Sequence, residues 1–290
     1  MKVNVLRTNS LTVGFLFPIM LVLIILAGCF PWQSPERLQK YTSIKQALED
    51  REEVRYVSLL NKGLKEFPVE LASLPNLTKL SLRKNELGTI PPMIEKLEKL
   101  SWLDLGETRL TALPDKIGKL SRLTTLYLND NQLSSLPDEI GNLLNLKYLN
   151  LDRNILTELP KGIGKLSGLK WLRLNENQLT SLPPEIGSLS SLERLYLRNN
   201  KLKGLPAELF NLCNITDLSL SGNQLDVLPG EIVRLASLER LDLDGNNLSA
   251  LPSEIEKLAN LKCLRLERNK IPDGEKTRLR KLIPECHIAF

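Results

Sequence analysis

Histidine is almost absent from this chain: His287 is the only one in 290 residues. One imidazole beside a chain end cannot furnish a zinc cluster, and a Ser-His-Asp site is not expected where no cleft is expected. A G-x-x-x-x-G-K-[ST] loop is missing too, so the chain shows no glycine-rich phosphate cradle. Cysteine is scarce, and the spacing of Cys213, Cys263 and Cys286 fits no common metal motif. Nor is there a strong excess of one charge. The chain carries 39 basic and 34 acidic residues. Removing Lys2 and Arg7, which lie in a segment expected to be cleaved, leaves a small positive balance and no case for nucleic-acid binding. Nothing in the sequence calls for a cofactor. Aromatic residues make up only 5% of the chain, which makes their placement worth following.

What is present begins with an apolar run. Lys2 and Arg7 form a basic start, and Leu11 to Leu26 reads LTVGFLFPIMLVLIIL. A basic start, an apolar stretch and small residues before a cut site read as an export signal. The run is short for a membrane-spanning helix and contains Pro18. It ends Leu26-Ala27-Gly28-Cys29, which resembles the lipobox of bacterial lipoproteins. That resemblance implies cleavage after residue 28 and a diacylglyceryl group on Cys29. An uncleaved N-terminal anchor is the alternative. Either reading puts the rest of the chain outside the cytoplasm, because the basic end stays inside. Phe30, a non-acidic residue after the cysteine, favours the outer membrane by analogy with some Gram-negative sorting rules.

From Val54 the sequence repeats every 23 residues without insertion or deletion. The ten repeats begin at Val54, Leu77, Leu100, Leu123, Leu146, Leu169, Leu192, Ile215, Leu238 and Leu261. Positions 1, 4, 6 and 11 are aliphatic throughout. Position 15 is proline in the nine complete repeats, and position 9 is asparagine in eight, from Asn85 to Asn269. Positions 4 and 6 alternate with polar neighbours, the period of a half-buried strand. A single coil cannot bury such a face, so coils must stack. Asparagine, able to donate and accept, is placed to satisfy the backbone of the turns. Lys62 and Thr108 replace it in the first and third repeats. An adjustment is expected around Gly106 to Thr108.

This pattern resembles the leucine-rich repeat family, with its L-x-x-L-x-L-x-x-N-x-L core and LPxxIGxLxxL second half. The resemblance covers residues 54 to about 272. It implies an α/β-type leucine-rich repeat solenoid, with a curved parallel β-sheet on the concave side, short helical or irregular segments on the convex side, and helical caps. The expected organisation is a signal peptide over 1–28, a lipidated cysteine and spacer over 29–40, an N-terminal cap over 41–53, repeats over 54–271 and a C-terminal cap over 272–290. Ile44 and Leu48 suit a short capping helix. Leu279, Leu282 and Ile283 form a second apolar helix face. Cys286 and Ile288 are expected to point inward from a final strand. The last 22 residues resemble the C-terminal cap of bacterial leucine-rich repeat proteins, including spirochaete envelope proteins. Cys263 and Cys286 are then expected on opposite faces of neighbouring strands, where a disulfide would need distorted geometry.

In that register, positions 3, 5, 7 and 8 face the open side of the sheet. Within the repeats every Trp and Tyr stands at position 3 or 5: Tyr56, Trp102, Tyr127, Tyr148, Trp171 and Tyr196. The third to seventh repeats carry one ring each. Strand propensity explains why rings avoid the outer side, but not the run of five. Arg173, Arg194 and Arg198 adjoin the rings on one side, and Asp104, Glu107, Asp130 and Asp152 flank them on the other. Asp242, Asp244 and Glu267 form a second acidic group. Both groups read as cross-strand ion pairs on a solvated face rather than as a calcium site. Trp, Tyr and Arg dominate interface energies. The expected partner-binding residues are therefore Trp102, Tyr127, Tyr148, Trp171, Arg173, Arg194, Tyr196 and Arg198. The function expected is a membrane-tethered, extracytoplasmic protein-binding module that takes a host or envelope protein and is not an enzyme. Carbohydrate or cell-wall binding, or self-association in the envelope, is the alternative.

Overall fold

The computed structural model describes residues 38–290. The export signal and Cys29 lie outside the described residues. The repeats form one parallel sheet in strict chain order, flanked at each end by a strand and a helix of the caps. β1 (Lys40–Tyr41) and α1 (Ile44–Glu49) precede the repeats. The repeat strands are β2 (Tyr56–Ser58), β3 (Lys79–Ser81), β4 (Trp102–Asp104), β5 (Thr125–Tyr127), β6 (Tyr148–Asn150), β7 (Trp171–Arg173), β8 (Arg194–Tyr196), β9 (Asp217–Ser219), β10 (Arg240–Asp242) and β11 (Cys263–Arg265). α2 (Asp273–Leu282) and β12 (His287–Ala289) close the far end. No helix among the described residues is long and apolar enough to cross a membrane.

Each strand spans positions 3 to 5, and strands pair without slip, Leu149 against Leu126 and Leu172. The inward leucines at positions 4 and 6 are almost fully buried. Each removes apolar surface worth about 1.5–3 kcal/mol. Opposite the sheet, every complete repeat turns through a five-residue 3₁₀ segment entered from its proline. At Pro160, for instance, φ is −68°, and Lys161–Lys165 follows. Ile163 in that segment is fully buried and closes the core. The segments pack so tightly that a Cβ on Gly141 would collide with the carbonyl of Gly162.

The asparagine column joins neighbouring coils. Asn131 Nδ2 donates to the carbonyls of Leu105 (2.8 Å) and Leu128 (2.9 Å), while its Oδ1 accepts the N–H of Leu110 at 2.9 Å. Asn154, Asn177, Asn200, Asn223, Asn246 and Asn269 repeat this bonding. One side chain thus satisfies buried backbone groups on two coils. Thr108 is fully buried but keeps only the bond to its own repeat, Oγ1 to the Leu105 carbonyl at 2.6 Å, and a contact with Asn131. The backbone adjusts at Arg109 (φ 59°), directly after the Gly106 to Thr108 stretch around which an adjustment was expected. The first repeat uses the same device, where Lys62 is followed by Gly63 at φ 66°. A side chain that cannot bridge the coils is followed in both by a left-handed residue.

The caps differ from expectation in detail. β1 extends the sheet beyond the first repeat, Lys40 beside Tyr56, a strand the sequence did not announce. In β12 it is Ile288 that pairs with Leu264, and Phe290 comes two residues later. Cys286 precedes the strand, half-buried against the core. Burial and the neighbouring Cys263 push its thiol up to about 11.

Candidate binding face

The rings predicted to share the open face do so, and they touch. Trp102 meets Tyr127 at a centroid distance of 5.8 Å, Tyr127 meets Tyr148 at 5.1 Å, and Tyr148 meets Trp171 at 5.8 Å. Their planes are tilted by 44° to 59°, within the range aromatic pairs favour. The Arg194 guanidinium ends the row, 4.2 Å over Trp171. Tyr56 joins at the other end, 6.3 Å edge-on to Trp102 across the intervening strand. It stood outside the predicted strip because the second repeat carries Lys79 between the two rings. The ladder therefore runs from β2 to β7. Each ring is only partly exposed, because its neighbours cover its faces. Burial raises the pKa of Tyr127 and Tyr148, so both phenols stay neutral.

Tyr196 stands apart from this row. Its ring lies 5.5 Å beneath the Arg173 guanidinium. Arg173 in turn holds Asp152, Nη2 to Oδ2 at 2.6 Å. Arg198 is exposed.

The acidic groups form the expected cross-strand ion pairs, Arg83 with Glu107, Arg153 with Asp130 and Arg265 with Asp244, and Asp217, outside those groups, pairs with Arg240. The face is less solvated than expected, however. Asp104 is 7% exposed, and Asp152 and Asp244 are each 2% exposed. The backbone explains this. The N–H of position 6 bonds to the next strand, as Leu128 does to the Asn150 carbonyl, and so does that of position 8. Between them, the N–H of position 7 bonds to side chains instead. Asp152 Oδ1 accepts from Asn175 N–H at 2.8 Å, Asn175 Oδ1 from Arg198 N–H at 2.9 Å, and Asp244 Oδ1 from Glu267 N–H at 2.8 Å. Asp104 accepts from Gly106 within its own repeat. Burial raises the Asp104 pKa despite that bond. Burial also pushes Asp217 up, but bonds from Arg240 and Thr216 outweigh it and hold its carboxyl below the usual range.

Beyond Tyr196 the face changes. Ser219 and Cys263 replace rings, and a recess of about 320 Å³ opens over Leu218 and Leu241, walled by Arg198, Asp217, Arg240 and Asp242. Sequence reasoning missed it because a hollow left by short side chains has no motif. Among the described residues, no group of three or more His, Cys, Asp or Glu side chains could hold a metal ion.

Comparison with known proteins agrees with this architecture. The family "Leucine-rich repeat region" matches residues 95–166, 137–221 and 207–283, and "Leucine Rich Repeat" matches 76–97. No curated protein matches the chain. Among solved structures, an Arabidopsis thaliana receptor-kinase ectodomain, in complex with Casparian strip integrity factor 2, is 38% identical over 70% of this chain with a TM-score of 0.64. This chain spans about a quarter of that ectodomain (26%). An internalin from Listeria monocytogenes has a TM-score of 0.74 at 22% identity, over 86% of this chain and 71% of that one. A leucine-rich repeat protein of Leptospira interrogans is 29% identical over 87% of this chain and all of that one, with a TM-score of 0.40. The 23-residue register, the asparagine column and the family match agree: the chain belongs to the leucine-rich repeat family.

Proposed function

We propose that this protein is a lipid-tethered, extracytoplasmic module that captures a protein partner on the ring ladder of its open face. The observation that carries the reading is the contact row Tyr56–Trp102–Tyr127–Tyr148–Trp171, ended by Arg194. Rings that contact one another are held in place, so little side-chain freedom is lost when a partner settles on them. Six neighbouring strands span about 24 Å at the usual strand spacing, wide enough for a helix or extended segment. The Arabidopsis ectodomain, solved with a protein bound, lends the fold-level analogy. The resemblance of Leu26 to Cys29 to a lipobox supports the tether, and Phe30 after the cysteine favours an outer-membrane location, facing either the periplasm or the cell surface. The partner would be an envelope or host protein, and the role is binding rather than catalysis.

The test is a crosslinking pull-down from intact cells. Trp102→Ala combined with Trp171→Ala should abolish capture of the partner while leaving circular dichroism unchanged. Undiminished capture by the double variant would sink the site. A glycan array that lights up for the wild type and fails for this variant would move the ligand class to carbohydrate. The tether is checked by fatty-acid labelling, which should mark the wild type and spare Cys29→Ser.

A further inference from the structure

Because every strand runs parallel, all of them begin on one flank of the solenoid. The residues that arrive there are the last four of each repeat and the second of the next. In the second and third repeats they supply Lys96, Lys99, Lys119 and Arg122. The next two turns add Lys147, Lys165 and Lys170, and the only carboxylate in these positions is Glu98. All seven cations are exposed. The matching positions of the sixth to ninth repeats hold Arg234, Lys257 and Lys262 against Glu193 and Glu239. The positive excess is therefore six on the flank of β4 to β7 and one on the flank of β8 to β11.

Neighbours leave most of this charge free. Lys170 pairs with Glu193 at 2.7 Å and Lys165 with Asp138 at 3.7 Å. Lys99 bonds only the Asn76 amide oxygen, at 2.7 Å. A recess of about 570 Å³ opens at the N-terminal end of the flank, lined by Arg51, Leu74, Pro75, Lys96, Glu98 and Lys99. The chain also enters the sheet here. Lys40 is level with Tyr56, which puts Gln39 at the height of Arg55, Lys147 and Lys170. The residue that leads into β1 and the cationic rows thus share one flank.

We propose that this flank docks on a surface of anionic lipid headgroups, so that the solenoid lies with its strand starts toward the membrane. The inference rests on the tether reading, and the described chain enters β1 from this same flank. An acyl anchor and a basic patch act together as two signals, each strengthening the other. The opposite flank, where strands end, mixes both signs: Lys201, Lys203 and Lys270 stand among Glu107, Asp130, Glu158, Glu176 and Asp226. Docking through the strand starts leaves the open face unobstructed, with the rings of β4 to β7 turned sideways for a partner.

The experiment uses the full chain with two vesicle types, phosphatidylcholine alone and phosphatidylcholine mixed with phosphatidylglycerol. Flotation reports the tether, and lysine acetylation read by mass spectrometry reports docking. The chain should float with both vesicles. Labelling of Lys99, Lys119 and Lys147 should fall several-fold on the anionic vesicles only, and molar salt should restore it. Lys201, Lys203 and Lys270 should label alike on both. Lys99→Glu with Lys119→Glu and Lys147→Glu, all at exposed positions, should leave circular dichroism unchanged and expose Lys165 and Lys170 again. Equal labelling on the two vesicle types, with the chain afloat on both, overturns the docking and leaves the tether standing. Failure to float with either vesicle removes the tether and the docking with it. Protection by soluble polyphosphate but not by vesicles reassigns the flank to a soluble polyanion and overturns the proposal.

Discussion

The open face has two halves built on one backbone. From β2 to β7, rings at positions 3 and 5 lean on one another and fill the surface. From β9 to β11, the same positions hold short or charged side chains, the arginines are drawn to Asp217 and Asp244, and a recess opens. Strand register and leucine core are the same in both, and so is the asparagine column apart from Lys62 and Thr108 in the first half. The difference lies in decoration alone, which shows how this scaffold separates folding from recognition. The inward positions are fixed by the stack, positions 3 and 5 vary freely, and position 7 is partly committed because its side chains cap backbone N–H groups of the next coil.

That separation can be broken most severely at the shared scaffold. Asn154→Ala under the ladder and Asn223→Ala under the recess each strand buried backbone groups on two coils. Each should cost about 3 kcal/mol in denaturant unfolding. Unequal costs would mean that the halves differ in framework as well as surface. Next in size is the recess. Asp217→Asn removes the pair with Arg240, whose side chain is half-exposed, and should cost about 1 kcal/mol near neutral pH. The Asp217 pKa is depressed in the folded state, so its contribution is present above the ordinary value of 3.8 and fades as pH falls through the folded value. Asp104, under the rings, has a raised pKa, so its linkage has the opposite sign, favouring the folded state as it protonates. Wild type and Asp217→Asn should converge in stability in acid; a constant gap down to low pH would refute the assignment.

Arg109→Gly relieves a left-handed residue beside the missing asparagine and should stabilise by roughly 1 kcal/mol. The equivalent site in the fourth repeat, Gln132, is not left-handed, so glycine there should destabilise slightly. Opposite signs on thermal unfolding are the expected result. The smallest effect is chemical. Cys213 is exposed, Cys263 is half-buried in the recess, and Cys286 has its thiol pKa raised. Iodoacetamide should modify Cys213 first and Cys286 last, because the thiolate is the reacting form. Fast modification of Cys286 would show that the terminal strand opens.

The period of 23 residues, by itself, determined the solenoid, the parallel sheet and which side chains are buried, because an inward leucine at a fixed spacing has one way to leave water. It also placed every ring of the ladder on the open face. Only the tertiary structure decided that Tyr56 reaches Trp102 past Lys79, since that contact depends on side-chain reach across two strand spacings. It likewise decided that Asp152 and Asp244 are buried acceptors for backbone N–H groups, which composition reads as surface charge. The recess beyond Tyr196 and the cationic flank have the same origin. Each gathers residues separated by a full repeat or more, and stacking brings them side by side.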